Sequence, residues 1–240
     1  MTFEEHAKAA LDNFAAKDSA SRYWLVDAAG ERNIERVLDL GCGPGHELIP
    51  FIERTGAHCV GVDIAPELGK VTAETFPHAE RAGFVCANGA SLPFAAESFD
   101  VVLCRVALPY MNNRETIAET ARVLKPNGVL LLKTHAPRFY LAMIRERLPS
   151  LHPKMLAYPL ICLAASLWHV ATGRQLEKGF WRGKEIFQTN GFLEKEFTRN
   201  GLRIDGRLED DNPLSPSYRV VKSAAGAFVL LNACGASVAI

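Results

Sequence analysis

The chain predicts an α/β fold, a largely parallel sheet with helices on both faces. Three observations carry this reading. Short apolar runs recur near 36–40, 58–62, 83–87, 99–104 and 128–134. Helix-like stretches near 45–55, 66–76 and 113–124 alternate with them. The runs are almost continuously apolar, as expected of strands covered on both faces. At 240 residues the chain suits a single domain, 1–240, with room for a sizeable core.

From the N-terminus, apolar residues fall at helical spacing: Phe3, Ala7, Ala10, Leu11 and Phe14, then Tyr23, Trp24 and Val26. We read 1–30 as two N-terminal helices, with Asp18-Ser19 as the cap between them. Next comes Val37-Leu38-Asp39-Leu40-Gly41-Cys42-Gly43-Pro44-Gly45-His46. A buried strand here runs into a tight glycine turn and a helix start. Glycine admits positive φ and close approach of another group, because it has no Cβ. In open α/β sheets, ligands sit beyond the carboxyl ends of the strands. Dinucleotide sites use G-x-G-x-x-G, whereas this turn is G-x-G-x-G with Asp39 two residues ahead. An acid there repels a pyrophosphate and suits a ligand with an amino group or a sulfonium. A nicotinamide-dependent oxidoreductase is disfavoured on both counts.

The second strand, Val60-Gly61-Val62-Asp63-Ile64, also ends in an acid, 18 residues after Gly45. A carboxylate at that place can accept both hydroxyls of a ribose. Val85-Cys86-Ala87-Asn88-Gly89-Ala90-Ser91-Leu92-Pro93-Phe94 follows, then Ser98 to Leu103. After a helical stretch comes Arg122-Val123-Leu124-Lys125-Pro126-Asn127-Gly128-Val129-Leu130-Leu131-Leu132.

Five motifs in this order, over roughly residues 36–136, resemble the class I S-adenosylmethionine-dependent methyltransferases. The nearest pattern is the small-molecule subgroup with the methyltransferase type 11 motifs, which includes quinone-, sterol-, sugar- and antibiotic-modifying enzymes. The resemblance implies a Rossmann-like doubly wound sheet of seven strands, order 3-2-1-4-5-7-6, with strand 7 antiparallel. It implies S-adenosylmethionine as cofactor. Gly41, Cys42, Gly43 and Gly45 would support its amino-acid part, with Asp39 near the cationic portion. Asp63 would hold the ribose and Ile64 would pack on adenine. Asn88, with Gly89 and Ala90, stands where the family usually has Asp against the adenine amino group; an amide carbonyl can still accept that bond. Asn127 replaces the family's usual Gly, and Asn tolerates left-handed backbone.

Methyl transfer from a sulfonium is an in-line displacement with an activated donor. Positioning alone can lower the barrier by roughly 7–11 kcal/mol, and a base is needed only when the acceptor must lose a proton. His135, after the fifth strand, is the candidate base, with a hydrogen-bonded structural histidine as its other reading. Arg105 reads as a contact to the cofactor or to an acidic substrate, or as a structural arginine. Tyr110, Tyr140, Trp168 and Trp181 are candidates to line the acceptor pocket, against a plain core role. The acceptor atom, oxygen, nitrogen or carbon, is left open. So is a protein that binds the cofactor without transferring its methyl, as a regulator or partner subunit.

Residues 137–183 interrupt the alternation and read as a helical insertion, where this family builds substrate covers. Pro137 to Leu148 looks helical and basic. An uncharged run then spans Met155 to Gly173, between Lys154 and Arg174. Pro159 is expected to break it, leaving 14 residues to Thr172, or roughly 21 Å of helix, too short to cross about 30 Å of hydrocarbon. The run is a lid, a core element or a helix resting on a membrane surface, not a transmembrane span. Beyond it, Lys184 to Asn200 reads as a helix carrying Ile186, Phe187, Phe192, Leu193 and Phe197. Gly201 to Ile204 begins a strand. Ala227 to Leu231 is the favoured last strand, with Tyr218 to Val221 competing.

Bulk properties bound the partners. Lys+Arg and Asp+Glu each number 27, so net charge is zero and no basic run points to nucleic acid. A small-molecule acceptor is expected; the oligomeric state is open. The N-terminus shows no basic stretch followed by an apolar core, so the expected location is cytoplasmic. The six cysteines include no C-x-x-C pair. Reduced thiols are expected, with neither structural zinc nor a metal in the site, and Cys59, Cys86 and Cys104 as small apolar residues of buried strands.

Overall fold

Each central strand is apolar on both sides because two helical layers compete for its two faces. The computed structural model describes residues 3–16, 18–68, 79–150, 152–176 and 178–224. Strands β1 (Arg36–Leu40), β2 (His58–Asp63), β3 (Ala82–Cys86), β4 (Phe99–Arg105), β5 (Leu124–Lys133), β6 (Leu202–Arg207) and β7 (Ser217–Lys222) form one sheet. Its order is β3-β2-β1-β4-β5-β7-β6. The first five strands are parallel, and β7 runs antiparallel to both β5 and β6.

Alternate residues serve opposite faces. Leu38, Val102, Leu130 and Leu132 join Ile117, Leu193 and Phe197 on one side. Val37, Val101, Leu103, Val129 and Leu131 join Leu25, Ile34 and Phe51 on the other. Each such side chain, fully buried, contributes about 1.5–3 kcal/mol. The second layer is built from α1 (Phe3–Ala15), α2 (Ser19–Ala29) and α3 (Ile49–Thr55). Asp18 caps α2 by accepting from the Ser21 amide at 2.7 Å, as expected. The first layer contains α4 (Asn113–Val123) and α7 (Asn190–Arg199). Between them a hairpin of α5 (Pro137–Arg147) and α6 (Pro153–Thr172) leaves the sheet.

Five expectations change. Pro159 does not break α6, which runs 20 residues through it. A proline at this place leaves the Met155 carbonyl without its helical donor, and Arg147 donates to that carbonyl at 3.1 Å. Met155–Thr172 is therefore 18 residues long and apolar enough, by length and composition, to cross a membrane. The helix expected over Lys184 to Asn200 starts only at Asn190. Residues 184–189 stay extended because they are hydrogen-bonded across the fold: the Ile186 amide to the Pro109 carbonyl at 2.8 Å and the Gln188 amide to the His135 carbonyl at 3.1 Å. Thr189 then caps α7, accepting from the Phe192 amide. The last strand is the competing segment, Ser217–Lys222. Finally Cys86 is exposed, since β3 is an edge strand. The favoured strand 227–231, most of the helix at 66–76 and Cys234 lie outside the described residues.

Candidate functional site

The site begins where β1 ends. Gly41, Gly43 and Gly45 all have positive φ, at 70°, 52° and 76°. The amides of Gly41 and Cys42 both donate to the Val62 carbonyl, at 2.7 and 3.1 Å, which folds the turn against the end of β2. A Cβ on Gly41 would lie 2.3 Å from the Ala107 Cβ, so only glycine lets this turn meet the loop after β4. A Cβ on Gly61 would lie 2.6 Å from the Cys42 sulfur. Gly43, by contrast, meets nothing within 4 Å, leaving its backbone open to a ligand.

The electrostatics of this turn are acidic. Asp39 is 3% exposed, and burial pushes its carboxyl well above the usual range; Glu47 raises it further, Arg105 opposes, and Asp63 adds to the rise. A cation set among Asp39, Glu47 and Asp63 would relieve that repulsion. Burial likewise raises the Cys42 thiol, and lifts Cys59 and Cys104 to about 12, so these thiols stay protonated. Asp63 ends β2 half-buried. Its carboxylate accepts from the Gly43 amide at 3.2 Å and the Ala65 amide at 3.1 Å, holding the glycine turn to the second loop. Ile64 beside it is 66% exposed, an apolar platform of the kind adenine stacks on.

The third loop shows the same economy. Asn88 Oδ1 accepts from the Ala90 amide at 3.0 Å, an Asx turn. Gly89 is buried against Met111, whose sulfur a Cβ would approach to 2.9 Å. The first two loops thus present a buried acid, a half-buried carboxylate and an apolar shelf along one sheet edge. These residues fit S-adenosylmethionine: a cation at Asp39, a sugar at Asp63, a base over Ile64.

Arg105 ends β4 with its side chain 9% exposed. Its guanidinium pairs with Asp210, donates to Ser217 Oγ at 3.3 Å and lies over the Trp24 ring at 5.1 Å. It thus ties α2 and the β6–β7 loop to the site while offsetting the charge at Asp39. Val106 follows with φ of 62°, a conformation β-branched residues rarely adopt. That kink, closed by the Val106 amide on the Lys133 carbonyl at 2.8 Å, swings 107–110 across the sheet edge.

A second polar cluster, beyond the carboxyl end of β5, centres on a residue the sequence reading missed. Glu185, 3% exposed, lies between the hairpin and the sheet edge. His135 Nδ1 sits 2.9 Å from its Oε2, Tyr140 donates to the same oxygen at 2.8 Å, and Tyr158 donates to Oε1. Burial pulls the Glu185 carboxyl up, yet the bonds from His135, Tyr158 and Tyr140 outweigh it and leave it below its usual value. All three phenols near it, Tyr110, Tyr140 and Tyr158, are pushed up, by burial first and Glu185 next or close behind. The His135 ring stacks on Phe139 at 3.7 Å. No motif marks Glu185; it lies in the extended segment that periodicity misassigned to a helix.

The proposed pocket aromatics divide. Tyr110, half exposed, and buried Tyr140 gather at Glu185. Trp168 does not: it is 48% exposed on the outer side of α6. Trp181 packs edge-on against Phe180, 5.3 Å away, in a turn beyond the hairpin. A cleft of about 540 Å³ opens between Ala136, Asn190 and the β6–β7 loop, away from the glycine turn.

Comparison with known proteins agrees with this geometry. Residues 38–132 match a family model described as a methyltransferase domain. An uncharacterised methyltransferase, YcgJ of Bacillus subtilis, is 33% identical over 137 residues, 55% of this chain and 53% of that protein. O-methyltransferase rstn1 of Aspergillus nomiae is 32% identical over 102 residues, 41% of this chain and 45% of that one. The chain spans about half the length of the curated relatives it matches. Magnesium protoporphyrin IX methyltransferase of Synechocystis, solved with bound SAH, shares the fold with a TM-score of 0.54 and 19% identity, over 91% of this chain and 83% of that one. Residues 38–132 of this chain thus match a methyltransferase domain, held in a seven-stranded sheet of order β3-β2-β1-β4-β5-β7-β6.

Proposed function

We propose that this protein methylates an oxygen or nitrogen nucleophile on a small, partly apolar acceptor, with His135 receiving the nucleophile's proton. The observation that carries the proposal is the buried His135–Glu185 pair at the carboxyl end of β5, 2.9 Å apart. A carboxylate on Nδ1 fixes the proton there and turns the Nε2 lone pair into the proton acceptor. S-adenosylmethionine supplies the activated methyl. Asp39 and Asp63 hold and orient it, Glu185 positions the base, and the α5–α6 hairpin excludes water. Phe139, Tyr110 and the hairpin's inner side chains favour an acceptor with an aromatic or apolar part.

The test pairs discovery with dissection. Incubation with labelled donor and a metabolite library, read by mass spectrometry, should reveal products about 14 Da heavier, the mass of an added CH₂. With an acceptor in hand, His135→Asn should lower turnover about 10²–10⁴-fold with cofactor affinity intact. The pH–rate profile should lose its acid limb, the side on which a proton acceptor must first be deprotonated. Unchanged turnover and profile would make the pair a structural latch holding the hairpin. The deep burial of His135, 6% exposed, is the observation that favours that second reading.

A further inference from the structure

The hairpin is two-sided. Tyr158, Cys162, Ala165, Ser166 and His169, at helical spacing, turn α6 toward the protein. Ser166 Oγ accepts from the Phe187 amide at 3.0 Å, and Tyr158 donates to Glu185. The opposite side is apolar and exposed: Leu160, Leu167, Trp168 and Val170 are each at least 48% exposed, and Met155 at the helix start is 44% exposed. With Leu141, Leu148 and Phe180, residues 137–183 hold eight of the eleven large apolar side chains exposed among the described residues.

Charge is distributed to match. Residues 137–184 carry eight Lys/Arg against two Asp/Glu, a net +6. The rest of the chain carries nineteen against twenty-five, a net −6, hidden within an overall zero. Arg138, Arg145, Arg174, Lys178 and Arg182 are exposed, and the apolar face of α6 is bracketed by Arg147 before its start and Arg174 and Lys178 beyond its end.

We propose that the outer face of this hairpin docks on an anionic lipid surface, with α6 lying in the plane of the interface. An apolar stripe edged by cations is the signature of a helix lying in the headgroup layer, and each cation adds attraction to anionic lipid. The acidic remainder of the chain is repelled by the same surface, which orients the molecule hairpin-down. The inner hydrogen bonds at Tyr158 and Ser166 keep α6 on the protein; a helix crossing the bilayer would have to abandon them. The proposal stands independently of which acceptor atom is methylated.

Flotation of the full chain with vesicles decides it. Binding is expected to vesicles of phosphatidylcholine with phosphatidylglycerol, to weaken at least about tenfold on phosphatidylcholine alone, and to be released by high salt. Leu160→Ser with Leu167→Ser should abolish it. Arg174→Gln with Lys178→Gln and Arg182→Gln should weaken it and flatten its salt dependence. Unchanged S-adenosylmethionine affinity reports that both variants are folded, and the charge variant serves should the apolar one fail to fold. Three results overturn the proposal: no binding to anionic vesicles at low salt, binding that survives salt and alkaline extraction (a spanning helix), or a concentration-dependent dimer of this chain with no vesicle binding.

Discussion

Asp39 is held against its own charge, and that makes it the most informative single residue. Its folded pKa is raised, first by burial and then by Glu47. Between the unfolded value of about 3.9 and the raised folded value, the native state binds the extra proton, so stability falls as pH rises through that window. A cationic cofactor prefers the ionised carboxylate. Its affinity should rise with pH over the same window, with a proton released on binding. Calorimetry in two buffers of different ionisation enthalpy reads that proton directly. Asp39→Asn should make the free protein more stable at neutral pH and weaken S-adenosylmethionine at least about tenfold, a loss of about 1.4 kcal/mol. Glu185 has the opposite sign. Its depressed pKa contributes stability that is present above the unfolded value of about 4.3 and lost as pH falls through the folded one. Glu185→Gln should cost about 1–3 kcal/mol near neutrality, a deficit that shrinks in acid, measured by urea unfolding at two pH values. Asp39 was legible because it precedes a glycine turn. Glu185 was not, because its partners come from 27 to 50 residues away in sequence and no local pattern encodes that meeting.

At the scale of elements, the sequence was clearest where an element's own residues set its limits. Asp18 and Asn112 accept from the amides three residues on, and α2 and α4 start there. It misled where tertiary partners overrode local preference. Proline rules break α6 at Pro159 near its start, but Arg147 satisfies the freed carbonyl. Periodicity carries a helix back to Lys184, but the backbone of 186 and 188 is already spoken for by 109 and 135. Besides the Tyr158–Glu185 bond, α6 is joined to this extended segment by a buried hydroxyl. Ser166 donates to the Cys162 carbonyl at 2.6 Å and accepts from the Phe187 amide. Ser166→Ala leaves that amide buried without its acceptor. We expect a loss of about 1–3 kcal/mol and faster hydrogen exchange at 186–188 and along α6, with the glycine turn unaffected.

For the whole molecule, the alternation of apolar runs and helices was enough to read five strands in order, and the resemblance supplied the rest of the topology. The location of β7 was not readable from pattern alone. Tyr218–Val221 mixes an arginine into its run, and the longer apolar stretch after it looked stronger; what selects 217–222 is pairing with β5 on one side and β6 on the other. Binding should be visible globally. At a hundred times its dissociation constant, S-adenosylmethionine adds about 2.7 kcal/mol to stability, a rise of roughly 5–10 °C in Tm for a chain of this size. Thermal unfolding with and without cofactor measures it. Gly41→Ala, which forces a Cβ into Ala107, should lower the Tm of the free protein and abolish the rise.

The place of β7 also bears on how the chain folds as it is made. It is the last strand in sequence among the described elements, yet it sits inside the sheet, between β5 and β6. Until residues 217–222 leave the ribosome, β5 presents Val129 to Leu132 along an unpaired edge, and β6 has no neighbour at all. Closure of the sheet must wait for nearly the whole described chain, and nascent chains halted before Ser217 should be the ones that chaperones hold and that aggregate when released.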